Sequence, residues 1–200
     1  MSPRPYVLVA VLAASTAGMA QTADFGLQGG LTFPMGDMTH IVGSDPSLTL
    51  GAQFRFGLHG GHALVTRLDY ASFSGKDDTW IPAPKVTENL LSIGLDYNYY
   101  FSRRVGQGFY LGGGLGYLQK DEKYAEDGYG YPDGNPSQTK SRLYLSTGLG
   151  VAFNQHVSLF GRFQFFFDNQ TGETYNASTD SYDKTYNMST LLTVGVEYHF

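Results

Sequence analysis

The feature that most limits what this chain can become is a period of two that returns eight times between residue 23 and the last residue. It is plainest in Thr185–Phe200, TYNMSTLLTVGVEYHF. There Tyr186, Met188, Thr190, Leu192, Val194, Val196, Tyr198 and Phe200 alternate with Asn187, Ser189, Leu191, Thr193, Gly195, Glu197 and His199. Successive residues of an extended chain point to opposite faces, so the spacing predicts a β-strand with one apolar and one polar or small face. At about 3.3 Å per residue such a strand exceeds the usual length in a water-soluble domain and can cross a bilayer at a tilt.

The same alternation marks Ala23–Met35, Leu48–Leu58, Leu64–Phe73, Asn89–Phe101, Phe109–Gln119, Leu143–Phe153 and Val157–Asp168, and no stretch of the mature chain shows the 3.6 period of a helix. The connections also alternate. Pro34–Ser47, Ser74–Lys85, Ala125–Gln138 and Asn169–Lys184 are long and polar, whereas Gly60–His62, Ser102–Gly108 and Asn154–His156 are short. An even strand number puts both chain ends on the short-turn side. A meander of this size must close on itself, because a free strand edge cannot be left in lipid.

An eight-stranded barrel of the soluble, lipocalin-like kind would carry its apolar set inside and a Lys- and Glu-rich set in water. Here the polar set is mainly Gly, Ser, Thr and Asn, sized for a narrow interior, and the whole chain holds only 13 Lys and Arg. On the apolar face Phe101, Phe109, Phe153, Tyr198 and Phe200 fall beside the short turns, and Phe33, Tyr70, Tyr117, Phe167 and Tyr186 near the long loops. Two aromatic belts with aliphatic residues between them are what the two interfaces of a bilayer select. The expected fold is therefore all-β: an eight-stranded antiparallel up-and-down transmembrane β-barrel. A mean hydropathy of −0.23 does not oppose this, since only alternate residues of such a strand meet lipid.

Residues 1–20 read as a cleavable signal peptide: Arg4 supplies the positive start, Val7–Ala14 the apolar core, and Gly18 and Ala20 the small residues before a cut at Gln21. Residues 21–200 form the barrel domain. The absence of Cys excludes a lipid-anchoring cysteine and any disulfide framework, and a net charge of −5 argues against nucleic acid as a partner.

On the polar face Arg55, Arg67, Asp96, Arg162 and Glu197 each lie a few residues from a short turn or the C-terminus, with Asp69 one inward step above Arg67. Charges inside a narrow barrel must pair, so an interior charge network is expected, with Arg162 and Glu197 on neighbouring strands as one pair. A packed salt-bridge core accounts for these residues better than a charged constriction or a catalytic carboxylate. His156 with Ser158, and His199 with Glu197, are the nearest approach to acid–base chemistry, but both sit at the short-turn end. His40, with Asp37 and Asp45 nearby, is explained by loop polarity, and His59 and His62 flank a turn. No catalytic residue, cofactor or metal site is assigned. The long loops are acidic and aromatic, and Asp77, Asp78, Trp80, Tyr129, Tyr131, Tyr175 and Tyr182 are the candidates for surface contact.

The strand patterning, together with YLGGGLGY at Tyr110–Tyr117, LLSIGLDYNYYF at Leu90–Phe101 and the terminal Tyr198-His199-Phe200, resembles the small bacterial outer-membrane β-barrels of the OmpX, OmpA-barrel and OmpW type, the porin-family outer-membrane barrel domain. The resemblance covers the whole mature chain and is specific for the class, not for one member. It implies a Gram-negative outer-membrane location, long loops outside and short turns in the periplasm, and contact with outer-membrane lipid and lipopolysaccharide. It also implies that Leu192, Val194, Val196, Tyr198 and Phe200 form the C-terminal signal read by the barrel-assembly machinery. Such proteins include structural barrels, adhesion proteins, narrow channels and a few lipid-modifying enzymes. The expected role is structural or surface-interacting without catalysis, with a narrow channel for small or apolar solutes as the alternative and a lipid-modifying enzyme less favoured.

Overall fold

The computed structural model describes residues 22–36, 38–39, 44–74, 86–124, 137–176 and 181–200, with backbone alone at 86, 124, 168–176 and 181–187. The expected signal peptide, and Asp77, Asp78, Trp80, Tyr129 and Tyr131, lie outside the described residues.

The chain forms one closed barrel with strands in sequence order: β1 (Thr22–Gly36), β2 (Ser47–Gly57), β3 (His62–Ser74), β4 (Val86–Tyr100), β5 (Gly108–Tyr124), β6 (Ser137–Ala152), β7 (Val157–Asn176) and β8 (Ser181–His199). Every neighbouring pair is antiparallel. Closure is made by β1 against β8, from Gly26 opposite His199 to Gly36 opposite Ser189. A further bond from Phe200 N to Phe25 O, 2.8 Å long, adds to the seam. Closure leaves no barrel strand with an unpaired edge along its shared length.

The two faces divide as the alternation predicts. Leu143 and Leu145 are 75% and 63% exposed on the outer wall, where Leu48, Phe54, Leu68 and Leu111 are exposed too. Inside, Arg67 is 3% and Lys120 0% exposed. This is the inverse of a water-soluble barrel.

The strands outrun their apolar stretches at the long-loop end. Residues 169–184, expected as a loop, are largely hairpin: Tyr175 pairs with Tyr182 and Asn176 with Ser181, after a register shift between Asp168 and Gly172. Tyr175 and Tyr182 are therefore strand residues. β5 and β6 likewise pair out to Lys123 and Ser137, past Gln119, where the apolar pattern ends. Ladder hydrogen bonds do not depend on side-chain polarity, and Thr- and Tyr-containing segments suit a strand as well as apolar ones do.

Candidate functional site

The barrel interior is the candidate site, and the inward residues of all eight strands fill it in layers. At the short-turn end Tyr100 of β4, Tyr110 of β5 and Phe160 of β7 pack with Ala63 and Ala152. The rings of Tyr100 and Tyr110 are 4.9 Å apart. Glycines on adjacent strands admit these rings: a side chain at Gly150 would collide with the Tyr110 ring, and one at Gly195 would lie 2.9 Å from Phe160.

Around this aromatic layer runs a polar chain. Arg55 Nε and Nη2 donate to Asp24 Oδ2 at 3.1 and 2.9 Å, and Nη2 also donates to the Gln155 carbonyl at 3.2 Å. The other Asp24 oxygen meets His199 Nδ1 at 2.7 Å. His199 Nε2 lies 3.6 Å from Glu197 Oε2, which also accepts from the Tyr110 hydroxyl at 3.4 Å.

One level further in are Arg67 and Asp69 of β3, Asp96 of β4 and Arg162 of β7. Arg67 pairs with Asp96 through Nη1 and with Asp69 through Nε, at 3.2 Å for the latter. Arg162 Nη2 donates to Asp69 Oδ2 at 2.9 Å. Gln28 also donates to Asp69, and Ser146 donates to Asp96 at 2.7 Å. Two cations and two carboxylates thus neutralise one another with added hydrogen bonds, the condition under which buried charges are tolerated.

The expected Arg162–Glu197 pair does not form. In the β7–β8 register Glu197 stands opposite Ser158, and Thr193 stands opposite Arg162. Four residues of strand separate the two levels, about 13 Å. Arg162 therefore reaches across the barrel to Asp69, and Glu197 turns to Tyr110 and His199. Arg55 also stands apart from Arg67 and Arg162, in the lower group with Asp24.

Above this level Phe73, Leu90, Leu118, Tyr144, Phe166, Leu191 and Met38 close an apolar plug. Gly94 and Gly116 give the Tyr144 ring its place, since a Cβ at either would meet its hydroxyl end. At the long-loop end Lys120 Nζ lies 3.2 Å from Glu88 and 3.1 Å from Glu122, with Lys140 Nζ 3.2 Å from Glu122. This second ionic layer is not visible in sequence, because Glu88, Lys120, Glu122 and Lys140 lie outside the apolar alternation. Asp24 escapes the sequence reading too. Its sole signal is one inward step at the start of β1.

The space left between layers is small. A void of about 30 Å³ between the layers is bounded by Arg67, Asp96, Tyr110, Ser146, Phe160 and Arg162. Ligand pockets occupy about 300–1,000 Å³, whereas one or two waters need no more than this. The His199 ring is held between Asp24 and Gln53, and among the described residues no cluster of three His, Asp or Glu is placed to hold a metal. His156 Nδ1 is engaged with the His199 carbonyl at 2.8 Å. His40 and Asp37 lie outside the described residues.

No family model and no curated protein matches this sequence. Solved structures do match its shape. Ail, the attachment invasion locus protein of Yersinia pestis, solved with the heparin analogue sucrose octasulfate, aligns over 89% of this chain and 97% of its own, at 9% identity and a TM-score of 0.53. A major outer-membrane protein from Thermus thermophilus aligns over 90% and 100%, at 15% identity and 0.52. Neisserial surface protein A aligns over 89% and 97%, at 15% identity and 0.50. The chain has the fold of these small outer-membrane barrels.

Proposed function

We propose that this chain is an integral outer-membrane barrel with a structural or surface-interacting role, neither a conduit nor an enzyme. The observation that carries the reading is the filled interior. Tyr100, Tyr110 and Phe160 stop it at one end, the Arg67–Asp69–Asp96–Arg162 cluster crosses its middle, and Phe73, Tyr144 and Phe166 stop it above. Among the inward glycines, Gly150 faces the Tyr110 ring, Gly116 the Tyr144 ring and Gly114 the Asp96 carboxylate.

The outer wall supports the membrane assignment. Leu111, Leu115, Leu145, Leu149, Leu159 and Val194 form its exposed middle, and Phe101, Phe109, Phe153, Tyr198 and Phe200 its exposed lower rim. An apolar band this continuous is stable in hydrocarbon and not in water. Export on Met1–Ala20, assembly through the Leu192–Phe200 strand, and contact of the acidic, Tyr-rich outer segments with lipopolysaccharide or a partner belong to the same reading.

Planar-bilayer recording of refolded 21–200 tests it. A protease-resistant barrel that passes no discrete current is the expected result. Reproducible single-channel steps would overturn the filled-interior argument in favour of a narrow channel.

A further inference from the structure

The exposed cationic charge of the short-turn end is gathered in one turn. The connections at 58–61, 101–107 and 153–156 contain no Asp or Glu, and Arg103 and Arg104 stand side by side in the second, both exposed. No salt bridge among the described residues includes either one. Asp24, a carboxylate near that end, is committed to Arg55 and His199.

The turn that holds these arginines is tied down. Arg103 N donates to the Tyr100 carbonyl at 2.9 Å, Arg104 N to Ser102 Oγ at 3.2 Å, and Gln107 N to the Arg104 carbonyl at 3.3 Å. Arg103 itself adopts φ 60°, a left-handed conformation unusual for a residue with a side chain. Its Cα lies so near Gly61 of the neighbouring turn that a Cβ there would be 2.6 Å away.

Directly below, on the outer wall, runs an aromatic column. Tyr97, Tyr99 and Phe101 follow one another toward the turn, and His62 of β3 pairs with Tyr99. The His62 ring is 5.0 Å from that of Tyr99 and its Nδ1 bonds the Tyr97 hydroxyl, while Tyr99 and Phe101 meet edge to face at 5.4 Å. From the barrel's middle toward the turn the order is therefore apolar wall, the rings of Tyr97, Tyr99, His62 and Phe101, then two exposed arginines.

That order matches acyl chain, glycerol ester and phosphate. We propose that Arg103 and Arg104, above the Tyr97–Tyr99–Phe101–His62 column, form a headgroup site for an anionic phospholipid of the periplasmic leaflet. The guanidinium forks suit phosphate oxygens, and the rings suit the interface beneath. This rests on the outer-membrane reading above, which puts the short-turn end in that leaflet.

The test is native mass spectrometry of refolded 21–200 released from nanodiscs containing equal phosphatidylglycerol and phosphatidylcholine. Each basic residue near a membrane surface is worth about a fivefold change in anionic-lipid binding. The expected result is phosphatidylglycerol retained over phosphatidylcholine by about 30-fold, reduced about fivefold in R103Q or R104Q and abolished in the double variant. R103K/R104K should keep most of the preference, and K123Q, at the opposite end, all of it. A double variant that retains phosphatidylglycerol like the parent overturns the site, as does a parent that enters nanodiscs without headgroup preference. A chain that does not enter nanodiscs overturns the membrane reading first, and the site with it.

Discussion

Asp69 is the shared acceptor of Gln28, Arg67 and Arg162, so Asp69→Asn withdraws one negative charge from between two guanidiniums without changing side-chain volume. Arg67 keeps Asp96 and a 3.4 Å contact with the Tyr144 hydroxyl. Arg162, 6% exposed, loses its ion-pair partner and stays desolvated. Neutralising one member of a buried pair in this way costs about 3–5 kcal/mol, most of it the uncompensated charge left behind. At about 2–3 kcal/mol per molar urea, the unfolding midpoint in lipid vesicles should fall by about 1–2.5 M. Far-UV circular dichroism and the heat-dependent gel shift of the refolded barrel would follow it. Adding Arg162→Met removes the orphaned charge, and the double variant should recover at least about 2 kcal/mol over Asp69→Asn alone. A loss under about 1 kcal/mol for Asp69→Asn, or a double variant weaker than the single, would refute the reasoning, because it would mean the interior charges are as well hydrated as surface ones.

Truncating the lower plug in Tyr110→Ala/Tyr100→Ala removes two packed rings 4.9 Å apart but leaves the Phe73–Tyr144–Phe166 plug in place, so bilayer recording should stay silent; discrete current from this double variant would mean that the upper plug does not seal the barrel. Leu145→Arg, on the outer wall between the aromatic rims, should cost about 2–4 kcal/mol of stability in vesicles, read by the same urea titration. Gly116→Ala pushes a methyl group against the Tyr144 ring and the Ile93 carbonyl, and overpacking of that kind costs about 1–3 kcal/mol, again visible in the urea midpoint. Phe200→Ala removes the ring that stacks on Phe25 at 5.9 Å, and should lower the fraction of chain recovered as folded, heat-modifiable barrel in cells.

Strand number, strand faces and the short turns were legible because a period of two is a local property. Leu91, Ile93, Leu95 and Tyr97 announce their face with no knowledge of any neighbour. Register is not local. Which level of β8 meets Arg162 depends on the stagger of the whole closed sheet, and so Thr193, not Glu197, stands opposite it. Polar strand ends were illegible for a related reason: Gln119–Tyr124 and Thr174–Asn176 join the ladder without an apolar alternation to mark them, and their charges and hydroxyls resemble loop composition. The Lys120–Glu88–Glu122 layer is hidden by the same effect, since its members become inward neighbours only once those ends are known to be paired.

The seam between β1 and β8 has a kinetic consequence. Residues 26–36 find their partners at 189–199, nearly a full chain length away, so the closing step carries the largest loop-closure entropy of the fold and comes after local hairpins have little more to offer. Until the final strand arrives, β1 offers an open ladder to any other extended segment, including another copy of itself. A chain interrupted before residue 189 is thus not a slightly shorter barrel but a sheet with two sticky margins, and premature termination should convert this protein from a closed barrel into an aggregate.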